Sequence, residues 1–135
     1  MVNFHVVSEY SSTSPTKGGG EKIRGGPLYQ LARVKAIAKD GTGLALWTRH
    51  CAKDVRELGW DADDVANLIQ QLCDADYKDS EWCQNGRDAW AGCDAYSVHR
   101  LEWVPAAQKK MKVEYFLKFA ISKTGALVLT VSCHT

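Results

Sequence analysis

The chain has 135 residues, 45% of them hydrophobic, and a formal net charge of +1, with a mean hydropathy of −0.30. That length suits one domain that can bury a core without metal or disulfide staples. No apolar run approaches the roughly 20 residues of a membrane span, and Met1–Tyr10 lacks a basic segment leading into an apolar one, so a cytoplasmic location is expected.

The near-zero charge hides an uneven distribution: residues 1–39 carry +4, residues 40–81 carry −6 and residues 82–135 carry +3. Basic ends could meet a phosphate backbone while the acidic middle faces away, or they could be solvated helix faces. The five cysteines (Cys51, Cys73, Cys83, Cys93 and Cys133) cannot all pair, and a reducing compartment would keep them as thiols. No pair has the spacing of a zinc knuckle. A zinc site from Cys83, Cys93, His99, Cys133 and His134 therefore ranks below buried thiols, and no cofactor is expected.

In chain order, residues 1–26 are expected to form a flexible N-terminal arm, with a short strand near NFHVV followed by the Gly-rich stretch SSTSPTKGGGEKIRGG. Residues 27–135 form the expected domain. Pro27 suits a first helical turn, and Leu28, Leu31, Val34, Ile37 and Ala38 recur at helical spacing, predicting a helix near 28–40 that Asp40-Gly41 ends. Gly43–Trp47 reads as a short extended segment. Thr48 can cap a helix near 48–58, which Gly59 stops. Asp61 can cap another near 62–73, with Asp63 and Asp64 in its first turn.

After Asp76 the period changes to two. Val113, Tyr115, Leu117, Phe119 and Ile121 share one face of a strand near 112–121, while Glu114, Phe116, Lys118 and Ala120 share the other. Lys123-Thr124-Gly125 is a turn. In the strand near 126–134, Leu127, Leu129, Val131 and Cys133 alternate with Val128, Thr130, Ser132 and His134. A further strand is expected near 95–103. Helices followed by an antiparallel hairpin predict an α+β fold, with N-terminal helices on one face of a C-terminal antiparallel sheet.

Ordered along residues 28–134 are LxxVK (Leu31–Lys35), ELGWD (Glu57–Asp61), Asn67-Leu68-Ile69 with Leu72, DADYK (Asp74–Lys78), YFLKFAI (Tyr115–Ile121) and LVLTVSCH (Leu127–His134). In that order and spacing the chain resembles the MqsR-type toxins, ribonucleases of RelE-like fold. The resemblance implies the toxin of a type II toxin–antitoxin system. Such a protein is an endoribonuclease (mRNA interferase) that cleaves single-stranded mRNA without a required metal and is held in check by a cognate antitoxin encoded by an adjacent gene. The family's active face combines a lysine, a glutamine, a tyrosine and a C-terminal lysine. The first lysine matches Lys78. The glutamine position falls on Cys93 in GCDAY. The tyrosine position falls on Phe116, with Tyr115 one residue earlier, and the last lysine position on His134.

Cleavage by this route uses the substrate's own 2′-OH as nucleophile. It needs a base at that hydroxyl, an acid at the 5′ leaving oxygen and cations facing the phosphate. Lys78 and Lys118 can supply fixed charge, and His134 can supply charge and exchange a proton near neutral pH. His99 is a second possible base, and Arg100 can bind phosphate bidentately. Phe116 on the open face can stack a splayed base. Tyr115 alternates with core residues, so a structural role competes with a catalytic one. The rival class is a catalytically degenerate domain of the same fold that binds RNA or a partner protein.

By parity, Lys78, Phe116, Lys118 and His134 should gather on one open surface, with His99 and Arg100 at its edge and Lys78 arriving from the turn after the third helix.

Overall fold

The computed structural model describes residues 5–16, 20–86 and 88–135. Among the described residues three α-helices and seven strands make an α+β fold: β1 His5–Val6, β2 Lys22–Ile23, α1 Leu31–Ile37, β3 Leu44–Leu46, α2 Arg49–Glu57, α3 Ala62–Gln70, β4 Tyr77–Asn85, β5 Ala89–Val104, β6 Lys109–Ile121 and β7 Val128–His134. The sheet order is β2-β4-β5-β6-β7-β3, with β1 against β5. β1/β5 and β3/β7 run parallel and every other pairing is antiparallel.

Capping chemistry sets the helix starts. Thr48 Oγ1 accepts the Cys51 N–H at 3.1 Å. Asp61 and Asp64 exchange side-chain and backbone hydrogen bonds at the start of α3, a capping box that satisfies two otherwise orphaned donors. Gly59 takes φ +74 after α2, the left-handed conformation that closes a helix end. α1 starts at Leu31 rather than near residue 28, for a reason outside the helix. The backbone N–H groups of Leu28 and Tyr29 donate to the fully buried carboxylate of Asp94 at 2.9 and 3.1 Å. Burial pushes the Asp94 carboxyl above its ordinary value, against the pull of those N–H groups and the Ser80 hydroxyl.

The stretch read as an arm has its described parts tied to the sheet. Lys22 and Ile23 pair with Glu81 and Ser80, and Ile23 packs with Trp82 and Trp90 in a small second core. Glu9 and Arg33 join the arm to α1 through a two-pronged ion pair at 2.5 and 2.6 Å. Met1–Phe4 and residues 17–19 lie outside the described residues.

The main core lies between the helices and one face of the sheet. Val34, Cys51, Val55, Val65, Leu68 and Ile69 meet Tyr96, Val98, Tyr115, Leu117, Phe119 and Cys133. Tyr96 stacks on Phe119 at 5.3 Å between centroids.

The expected parity of β7 holds only for its last residues. Lys118 pairs with Ser132, but Phe119 pairs with Thr130, so Val131 is an extra residue in a bulge. Val128 and Thr130, expected beside His134, are turned into the core and are wholly buried. Thr130 Oγ1 has no hydrogen-bond partner among the described residues. The Val131 carbonyl accepts the Thr48 hydroxyl at 3.0 Å, tying the start of α2 to the sheet.

Candidate functional site

The opposite face of the sheet carries Asp79 and Glu81 on β4, Ala95, Ser97 and His99 on β5, Glu114, Phe116 and Lys118 on β6, and Ser132 and His134 on β7, as the pairing register dictates. A cavity of about 270 Å³ opens there, lined by Lys22, Lys78, Asp79, Glu81, Phe116, Lys118 and His134 among others. Four of the residues expected on one surface, Lys78, Phe116, Lys118 and His134, thus converge on it.

Lys78 does not arrive from a turn. It sits at the start of β4, where a register shift between Tyr77 and Asp79 places it at the cavity rim. Its side chain is exposed and makes no ion pair among the described residues. His134 and Phe116 pair across β6 and β7, with ring centroids 5.6 Å apart and tilted 32°. Phe116 remains 40% exposed beside that contact.

Lys118 is differently placed. Its ammonium bonds to Glu81 Oε1, while Lys22 reaches Glu81 Oε2 at 3.1 Å and Asp79 Oδ2 at 2.8 Å. Burial raises the Glu81 carboxyl, yet the bonds to Lys118 and Lys22 outweigh it and hold the group below its ordinary value. Burial lowers Lys118 in the same way, and Glu81 overrides that to hold it above its ordinary value. The cavity floor is therefore a compensated Lys–Glu–Lys–Asp chain, and Lys78 and His134 stand beside it. Glu81, Asp79 and Lys22 were not singled out from the sequence. Their only signal is acidic residues alternating at Asp79 and Glu81 in a segment of no clear period.

Four expected site residues lie outside the cavity. Cys93 is wholly buried against the Cys83 thiol, so it cannot touch RNA. Burial, with the neighbouring thiol, pushes it well above its ordinary pKa. Tyr115 is 4% exposed and belongs to the helix-side face, as its alternation with Val113 and Leu117 requires. Its ring stacks on Trp60 at 5.0 Å, its hydroxyl donates to Glu102, and burial with that bond pushes it up to about 12. Arg100 lies on the same helix-side face, 5.2 Å over Trp60 and 5.1 Å over Tyr115, with its guanidinium bonded to Glu102 at 2.5 Å. It faces away from the cavity because it is one residue out of phase with His99. His99 is on the open face but outside the cavity, 3.6 Å from Glu114.

Among the described residues no three His, Cys, Asp or Glu side chains come together to hold a metal ion, and no helix is long and apolar enough to cross a membrane. No protein-family model matches the sequence, and no curated protein matches it.

Proposed function

We propose that the chain is the toxin of a type II toxin–antitoxin system, a RelE-like endoribonuclease that cleaves single-stranded mRNA without a metal and is neutralised by a protein antitoxin encoded beside it. The observation that carries this reading is the convergence of an uncompensated lysine, a histidine and a half-exposed aromatic ring on one cavity. Its volume of about 270 Å³ lies just under the roughly 300 Å³ lower limit for small-ligand sites.

In the proposed step, His134 takes the proton of the 2′-OH, and the 2′ oxygen attacks phosphorus. The bond from phosphorus to the 5′ oxygen breaks, and that oxygen takes a proton from the Lys78 ammonium. Phe116 stacks the displaced base. The products are a 2′,3′-cyclic phosphate and a 5′-hydroxyl, and water restores both protonation states. Before the proton moves, the Lys78 charge faces the non-bridging oxygens, where negative charge grows.

A second reading draws on the positions of Cys93, Tyr115 and Lys118. With the first two buried and the third neutralised, the domain could bind RNA or a partner protein without cutting. Incubating the purified chain with single-stranded RNA in EDTA separates the two. Fragments ending in 2′,3′-cyclic phosphate are expected, while binding without fragments would favour the second reading.

A further inference from the structure

β5 and β6 continue well past the rest of the sheet. β4 pairs with β5 only as far as Tyr96, and β7 pairs with β6 only from Phe116 onward. Residues 97–104 and 109–115 therefore form a two-stranded ribbon, joined at residues 105–108, whose outer edges meet no other strand among the described residues. Its root is fixed on the helix side by Trp60, Arg100 and Tyr115. Its tip is not covered: Leu101 is 69% and Trp103 59% exposed. A tryptophan so exposed has lost most of the apolar burial that would give it a structural use.

The register puts basic and aromatic groups on the same side. Trp103 lies directly opposite Lys110, and Leu101 opposite Lys112. By parity both pairs share the face that carries His99, Ser97 and Phe116, so one unbroken strip runs from the ribbon tip to the cavity. Lys109, Lys110 and Lys112 make no ion pairs among the described residues. The strip repeats every ~6.8 Å along a strand. An extended single strand advances further per nucleotide than the ~3.4 Å axial rise of a duplex strand and so can follow such a repeat.

We propose that this ribbon is a binding arm for single-stranded RNA, with Trp103 stacking a base and Lys110 and Lys112 holding flanking phosphates, and that it guides the strand along Phe116 into the cavity. The path into the cavity rests on the ribonuclease reading; the binding by the ribbon does not. The bare cations favour nucleic acid over a protein occupant, because an apolar docking patch would not place a lysine opposite each of its two large side chains.

The test uses the full chain and a 2′-O-methyl single-stranded oligonucleotide of about 12 nucleotides, a length within the span of known single-strand binding sites. It has no free 2′-OH and is not cleaved by the proposed route. Trp103→Ala is expected to weaken binding about 10-fold, as for loss of one stacked base, and Trp103→Phe to recover most of it. The double variant Lys110→Ala/Lys112→Ala is expected to lower the slope of log affinity against log salt by about 1.4, two single-strand contacts of about 0.7 each. Cleavage of a dinucleotide, which reaches only the cavity, should be unchanged in all of them. No dinucleotide cleavage by any form would defeat the ribonuclease reading and leave the oligonucleotide result standing. Wild-type affinity and salt slope in both the Trp103→Ala and the double-lysine variants would overturn the arm. So would a wild-type chain that ignores the oligonucleotide but self-associates through the ribbon, becoming monomeric on Trp103→Ala.

Discussion

The cavity and the ribbon tip lie on the same face of the same two long strands, yet they treat positive charge in opposite ways. In the cavity Lys118 and Lys22 are held by Glu81 and Asp79. On the ribbon Lys109, Lys110 and Lys112 have no acidic partner among the described residues. A half-buried lysine needs a counter-charge to remain ionised where water is scarce, whereas an exposed lysine is stabilised by water and stays available to a phosphate. The cavity thus contains paired cations, and the ribbon carries cations unpaired among the described residues. Lys78 is the exception in the cavity, since it lines it without an ion-pair partner among the described residues.

The largest expected effect tests that exception. Lys78→Ala and His134→Ala should each slow RNA cleavage by about 100-fold or more, the range for losing a general acid–base or a charge-stabilising group. Thermal stability should barely change, because neither side chain is buried. A wild-type rate for His134→Ala would remove His134 from the mechanism.

The compensated pair should behave in the opposite sense, affecting stability. Glu81→Ala leaves Lys118 half-buried without its carboxylate and is expected to cost about 2 kcal/mol in denaturant unfolding, below the 3–5 kcal/mol of a fully buried pair. The pH dependence has two sides. Glu81 sits below its ordinary 4.5 in the fold, so its contribution is complete above that value and is lost as pH falls through the lowered one. Lys118 sits above its ordinary 10.5, so its contribution is complete below that value and is lost as pH rises through the raised one. The difference in stability between wild type and Glu81→Ala should therefore be flat from about 4.5 to 10.5 and shrink on either side. A difference that does not vary with pH would mean that the carboxylate packs there without an electrostatic role.

The smallest effect is expected at Phe116. His134 already covers part of its ring, so Phe116→Ala should weaken binding of a non-cleavable RNA by about 1 kcal/mol, the low end for a base–aromatic stack. Unchanged binding would assign base recognition to the ribbon alone.

Much of this arrangement could be read from the residues. Apolar spacing of 3.6 located all three helices, and Thr48 and Asp61 cap two of them as expected. The alternation in Val113–Ile121 put Phe116 and Lys118 on the open face and Tyr115, as its neighbours required, inside. β4 was not found because YKDSEWCQN has no apolar alternation: one side packs Ser80 and Trp82, and the other carries the ion pairs of Asp79 and Glu81. Such a strand looks like a polar loop until its partners are known. The bulge at Val131 was equally silent, since one extra residue reverses the facing of everything before it while the composition stays that of a strand. Position-by-position family matching put Cys93 in the site, whereas its side chain is wholly buried.

The unequal pairing of β5 also makes one continuous strand a gradient of local stability. Between Asp94 and Tyr96 it is bonded on both edges, and from Ser97 to Val104 on one edge only. Opening the tip beyond Arg100 exposes little buried apolar surface, because Leu101 and Trp103 are already exposed, so amide protons near Trp103 should exchange with solvent through local fraying, while those near Asp94 wait for opening of the whole fold. The distal amides would then report nucleic-acid contact by slowing, and the inner ones would serve as a reference within the same strand.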